Sequence, residues 1–314
     1  MRSNSCCVLQ QPTQTLHFTP AAISDKAWID PIVQAENAPN SDWCFTNIFV
    51  WRDSYQQQVA QLGQRLFVKY AYLGGDPYYA FPIGQGDLEA AISALRQDAA
   101  LHNLPLTLRG VNDKHRDELE RVFPGQFDIT PDPATFDYVY EAEKLATLAG
   151  KKLHAKRNHI NRFLQYHPDW AFQPITAENL PECIAMTKEW AEVHEKSEDF
   201  AAELEALDLA FQNHDILQLE GGLLRVDGKV AAFTMGEVLN SNTYLVHFEK
   251  AFPSLQGAYP MINREFARYI VDTYPHIQFI NREDDLGIES LQKAKRSYYP
   301  AFQVEKHTAV WRQT

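Results

Sequence analysis

Cysteine is scarce in this sequence of 314 residues: Cys6, Cys7, Cys44 and Cys183 are its only four. They form no CxxC pair and no Cys/His ligand spacing, so the sequence supports neither a disulfide framework nor a metal site. A reducing cytoplasm is the compartment such usage fits. Positive charge is short as well. Lys and Arg number 29 against 41 Asp and Glu, a formal charge of −12 at pH 7. Phosphate and anionic lipid are held by concentrated basic surface, so a large nucleic-acid or bilayer footprint is disfavoured, although a local basic patch is still allowed. No apolar run approaches the ~18 residues of a membrane span. The opening "MRSNSCCVLQQPTQT" has no run long enough for a signal peptide, and residues 1–15 are expected to be a loose tail. Walker loops, GxSxG elbows and HExxH helices are also missing.

What is present describes a globular protein, with 45% hydrophobic and 22% charged residues in a chain long enough for two cores. "YQQQVAQLGQRLFVKYAYL" reads as a hairpin turning at Gly63, and "GDLEAAISALRQDAALHN" as a helix with Leu88, Ile92, Leu95 and Ala99 on one face. "LPLTLRGV" is a strand, "NDKHRDELERVF" a helix capped by Asn112 or Asp113, and "FDYVYEA" a strand closing the first half. The second half repeats the order. Its clearest signal is "GGLLRVDGKVAAFTMGEVL", where Asp227-Gly228 supplies the positive φ angles of a two-residue hairpin turn. "TYLVHFEKA" and "HIQFIN" are strands flanking the helix "GAYPMINREFARYIVDTY", and "AFQVEKHTAVW" is the final strand. Strands alternating with helices predict mixed sheets with crossover helices. Between the halves, residues 151–166 predict a basic helix with Leu153, Ile160 and Leu164 on one narrow stripe. Lys152, Lys156 and Arg157 lie on the rest of its circumference, either as a solvated face or as a contact for a polyanion such as a tRNA backbone.

The stretch "INREDDLGIESLQKAKRSYYP" sets Asn281, Arg282 and Glu283 directly after an apolar strand. Helix capping accounts for Asp284 or Asp285, but not for these three. Together with "KKLHAKRNHINRF" and "FEKAFPSLQGAYPMINREFA", this stretch resembles soluble bacterial proteins of the phosphatidylglycerol lysyltransferase C-terminal-domain-like family, related to the Fem-type aminoacyltransferases. The resemblance implies an α/β fold of two tandem GNAT-like domains, expected at residues 16–142 and 143–314. It also implies transfer of an acyl or aminoacyl group from a tRNA or thioester donor to an amine or hydroxyl on a small molecule, lipid head group or peptide. Two alternatives stand beside it: a CoA-dependent N-acetyltransferase, and a non-catalytic module that keeps the cleft. The family's acyl-CoA members hold pyrophosphate on a Gln/Arg-x-x-Gly-x-Gly/Ala loop. Here Gly257 matches, but Ser254 and Tyr259 do not, which favours an aminoacyl-tRNA donor over acyl-CoA.

In such a fold the reaction lies where two neighbouring strands splay, and by element order these are "TYLVHFEKA" and "HIQFIN". Glu249, Glu283 and Arg282 are therefore the candidate catalytic residues, with the two carboxylates expected in one cleft. Lys250, Gly257, Ala258, Tyr259 and Asn281 are candidates for donor binding. His247 reads as a satisfied core histidine rather than a base, and Tyr298 and Tyr299 as packing residues.

Overall fold

The computed structural model describes residues 15–192 and 197–313; the expected tail, save its last residue, lies outside them. The hairpin of the second half turns where its sequence requires, between strands Glu220–Val226 and Lys229–Asn240, with Asp227 at φ 51° and Gly228 at 75°. Gly63 at φ 61° does the same between Gln58–Leu62 and Gln64–Tyr70. The helix Leu88–Leu101 begins at Asp87, whose carboxylate accepts the Glu89 N–H, and Asn112 caps Asp113–Val122 by accepting from His115 N–H.

Among the described residues, fifteen strands form two mixed sheets. Each sheet holds one parallel pair, Tyr78–Ala80 beside Thr107–Val111 in the first and Thr243–Ala251 beside Phe279–Asn281 in the second. Each pair is bridged by a crossover helix, Leu88–Leu101 and Ala258–Thr273 respectively, as parallel neighbours require. The halves are alike in this respect, as their shared element order predicts.

Strand membership corrects the expected assignment to halves. Asp137–Glu141, read as closing the first half, pairs instead with Phe279–Asn281 and Phe302–Val304 of the second sheet. In exchange, the last strand, His307–Trp311, inserts between Thr107–Val111 and Phe127–Pro131 of the first. The sheets therefore do not divide the chain at residue 142. The larger core is shared too: Trp43, Ile48 and Phe67 of the early chain cluster with Leu207, Phe233 and Phe248 of the later chain. The smaller core covers the other face of the second sheet, where Tyr244 and Val246 meet the helices Ala142–Thr147, His154–Tyr166 and Ala258–Thr273.

At the exchange, buried charges meet. Asp137 is fully buried and accepts from Ser41 N–H (2.6 Å), Ser41 Oγ (2.9 Å) and Asn281 Nδ2 (3.0 Å). Lys306, just before the last strand, places its ammonium 2.8 Å from Asp137 Oδ1 and 2.7 Å from Asp42 Oδ2. Among the described residues, no helix is long and apolar enough to cross a membrane.

Candidate active site

The strands Thr243–Ala251 and Phe279–Asn281 pair over three positions, from Thr243↔Phe279 to Leu245↔Asn281. Beyond Leu245 the longer strand runs on, while its neighbour parts from it after Asn281 and keeps its bonds to Tyr138 on the other side through Arg282 N–H and Glu283 O, so the expected splay is present. Arg282 spans it: Nη2 donates to Glu249 Oε1 at 2.9 Å, and Asn263 of the crossover helix donates to Glu249 Oε2 at 3.1 Å. The guanidinium lies over the rings of Tyr298 (5.0 Å) and Tyr140 (5.7 Å). Its Nη1 is buried with no hydrogen-bond partner among the described residues.

Lys156 enters the same place from the basic helix, which runs from His154 to Tyr166 and buries Leu153, Ile160 and Phe163, with Leu164 only half-buried. Its ammonium sits 3.8 Å from the Tyr298 ring centroid. Burial, helped by repulsion from Arg282, pushes it down to about 8, although Glu249 pulls the other way. Lys156 also lines a cavity of about 280 Å³ with His159, Phe252, Gly257, Tyr259 and Pro260. Gly257 caps the helix Ala258–Thr273 at φ 91°, where a Cβ would come 2.5 Å from the His159 carbonyl oxygen.

That helix start is a poor phosphate cradle. The Ala258 N–H is bonded to Leu255 O, and Pro260 has no N–H to give. The sequence departures at Ser254 and Tyr259 therefore have a counterpart in the backbone.

Several candidate residues are placed elsewhere. Glu283 does not share the cleft of Glu249. One residue on from Arg282, it faces the other side, where Oε1 accepts from Asn47 Nδ2 (2.9 Å) and bonds His247 Nδ1 (3.1 Å). Burial raises the Glu283 carboxyl, but the hydrogen bond and charge of His247 outweigh it, and the carboxyl stays below its usual range. His247 Nε2 lies 3.0 Å from Glu237 Oε1. Burial opposes the charged ring, yet bonds to Glu237 and Glu283 push it up to about 9. It is a satisfied buried histidine, as expected. Lys250 alternates to the far face from Glu249, bonds Glu203 at 2.5 Å and covers the Trp190 ring. Asn281 is wholly buried; it donates to Asp137 and Pro39 O, and accepts the Glu283 N–H at 2.8 Å. Both are structural in position, because a strand alternates sides and only one side faces the splay. Arg157 Nη1 donates to the carbonyls of Leu148 and Gly150, while Lys152 stays exposed with its ammonium 5.3 Å from the Tyr299 ring. Asp285 caps no helix: the helix is Glu289–Arg296, and Asp285 accepts from Gly287 N–H and, at 2.5 Å, from the Tyr138 hydroxyl.

Asn263 escaped the sequence reading, whereas Tyr298, read there as a packing residue, lies against the Arg282 guanidinium and the Lys156 ammonium. Asn263 is a buried amide in a helix turn between Ile262 and Phe266, a polar residue at the edge of an apolar stripe, and that signal was legible.

A family described as phosphatidylglycerol lysyltransferase, C-terminal, matches residues 35–310. The crystal structure of a conserved protein of unknown function from Bacteroides thetaiotaomicron VPI-5482 is 40% identical, with a TM-score of 0.87 over 95% of this chain and 100% of that one. L-PGS from Bacillus licheniformis is 13% identical, with a TM-score of 0.62 over 94% of this chain and 93% of that one, a likeness of fold. An uncharacterized protein of Mycoplasmoides gallisepticum is 25% identical over 177 residues, 54% of each chain, so this chain spans about half the length of that curated relative.

Proposed function

The chain belongs to the phosphatidylglycerol lysyltransferase C-terminal family, and from that membership and the geometry of the splay we propose that it is an aminoacyltransferase. The donor is an aminoacyl ester carried on tRNA, and the acceptor an amine or hydroxyl of a lipid head group, peptide or small molecule. The observation that carries this reading is Arg282 Nη1, a buried cationic donor without a hydrogen-bond partner among the described residues, held in the splay by Glu249.

Attack of an amine or hydroxyl on the ester carbonyl puts negative charge on its oxygen. Arg282 Nη1 supplies the donor for that charge, and such a donor is typically worth ~10²–10³ in rate. Glu249 fixes the guanidinium and takes the proton that the attacking group loses; the departing ribose oxygen takes a proton in turn. Lys156 and His159 face the neighbouring cavity, where a donor phosphate would restore the lysine's full charge. The helix start beside it offers few free N–H groups, which favours an ester on tRNA over coenzyme A. Exposed Lys152 extends the basic surface toward the tRNA backbone.

The test is a donor panel. Purified protein is incubated with radiolabelled aminoacyl-tRNAs, or with labelled acetyl-CoA, together with phospholipid vesicles, peptide amines or small amines. Label moving from tRNA to one acceptor class is the expected result. Turnover of acetyl-CoA with every charged tRNA left intact would replace this reading with the acetyltransferase one. Binding of donor without any transfer would favour the non-catalytic module.

A further inference from the structure

On the opposite side of the second sheet from Arg282, two residues of neighbouring strands meet a third from far earlier in the chain. Cys44 Sγ, a Glu237 carboxylate oxygen and a His247 ring nitrogen all lie within 4.8 Å of one another. We propose that Cys44, Glu237 and His247 form a zinc site that fastens the early part of the chain to the second sheet.

The donor set is a thiolate, an imidazole and a carboxylate, the three ligand types that zinc takes in proteins. Zinc–ligand bonds of about 2.0–2.3 Å put tetrahedral ligand atoms roughly 3.3–3.7 Å apart, so the three side chains need only small rotations to close on an ion. His247 Nε2 and Glu237 Oε1, now 3.0 Å apart, would open slightly. Cys44 is buried and His247 nearly so, while the Glu237 side chain keeps 17% of its surface exposed. That side is the entry path and the place for a water as fourth ligand.

The surrounding bonds suit a ligated histidine. With zinc on Nε2, the His247 Nδ1–H donates to Glu283 at 3.1 Å, and Glu283 is itself held by Asn47 Nδ2 at 2.9 Å. A carboxylate behind the ring fixes the tautomer and raises the ligand's basicity. Asn47 also gives its backbone N–H to Cys44 Sγ at 3.4 Å, a contact suited to a thiolate. Binding exchanges the thiol proton and the Nε2 proton for the metal, and both go to solvent. Cys44 caps the helix Phe45–Val50 and Asn47 lies in its first turn, whereas Glu237 and His247 lie on strands Lys229–Asn240 and Thr243–Ala251. One ion would therefore join two parts of the fold just behind Arg282. The proposal is independent of the transfer reaction.

The experiment uses the full chain carrying Cys6→Ser and Cys7→Ser, so that the two amino-terminal thiols contribute nothing. After chelation and removal of the chelator, Zn²⁺ is titrated by calorimetry and Co²⁺ by absorbance. One equivalent of zinc is expected, together with a near-ultraviolet sulfur-to-cobalt charge-transfer band that Cys44→Ser abolishes. Glu283→Gln should weaken zinc by ~10–100-fold while keeping the band, the usual effect of a partner behind a ligand. Circular dichroism checks that each variant is folded, and wild-type stoichiometry needs no variant at all. Binding of cobalt without a sulfur band would place the ion elsewhere, for instance at Asp113, Glu305 and the buried His307, and a band that survives Cys44→Ser would place it on Cys183; either would overturn the proposal. No stoichiometric zinc would overturn the proposal outright.

Discussion

Replacing Lys306 with Met should be among the most costly single changes in this protein. The methionine keeps the length of the side chain and removes its charge. Lys306 is 2% exposed and Asp137 is 0% exposed, so the carboxylate left behind stays out of water. Its three neutral donors, two from Ser41 and one from Asn281, still satisfy its oxygens but do not balance its charge. Removing one partner of a buried ion pair typically costs ~3–5 kcal/mol. The second partner, Asp42, is 32% exposed and screened, so it adds little. The loss is large against a usual total stability of about 5–15 kcal/mol. Urea unfolding of the wild type and Lys306→Met should show it as a lower midpoint with an unchanged slope. Adding Asp137→Asn should recover part of the loss, because no buried charge then remains. The pH dependence has a definite sign. Lys306 is raised well above its usual value by Asp137 and Asp42 against the opposing effect of burial, so its contribution is complete at neutral pH and is lost only at strongly alkaline pH. The cost of the substitution should be steady at mildly acidic pH and grow as pH rises through about 7, because burial raises buried Asp284 to about 7 while Lys306 holds it down, so it ionises more readily in the wild type than in the variant. A cost below about 1 kcal/mol would mean that the exchange is held by packing and ladder bonds, not by this pair.

Three further outcomes follow from the same geometry. Pyrophosphate binding at the Lys156 cavity should weaken as pH rises through about 8, because burial has pushed the ammonium down to about 8; Lys156→Arg should remove that fall, and a wild-type calorimetric profile with no fall there would remove the anion from this cavity. Gly257→Ala places a methyl 2.5 Å from the His159 carbonyl at φ 91°, and should lower stability by more than ~1 kcal/mol in thermal melts. Lys152→Gln should reduce the salt slope of tRNA binding by about one, whereas Arg157→Gln, whose guanidinium holds two carbonyls, should leave the slope alone and cost roughly 1 kcal/mol of stability.

Local chemistry was legible in the sequence, and long-range pairing was not. Asp227-Gly228 can hardly do anything but turn a hairpin, and Asn112 and Asp87 announce their helices by the donors they satisfy. The exchange of Asp137–Glu141 and His307–Trp311 between sheets left no such mark, since a strand's neighbours are set by the whole fold. Its one trace was a pair of opposite charges, Asp137 and Lys306, beside apolar strands. Arg282 and Glu249 were found because both stand near the carboxyl ends of neighbouring strands. Glu283 misled because it stands next to Arg282, and adjacent residues of an extended strand face opposite sides, so it shares the side of Asn281. The pattern of the basic helix gave its buried stripe within one residue, yet could not say which lysine would fold inward. Cys44, Glu237 and His247 are about two hundred positions apart at the extremes, beyond any spacing rule.

The central claim is that the Arg282–Glu249 pair performs aminoacyl transfer. Single-turnover transfer from the aminoacyl-tRNA identified by the donor panel tests it most directly, with donor affinity measured alongside. Glu249→Gln keeps the size of the side chain and should slow transfer by ~10²–10⁴ while donor affinity stays within a few-fold of wild type. Transfer at the wild-type rate in Glu249→Gln, or a loss confined to donor affinity, would contradict the assignment.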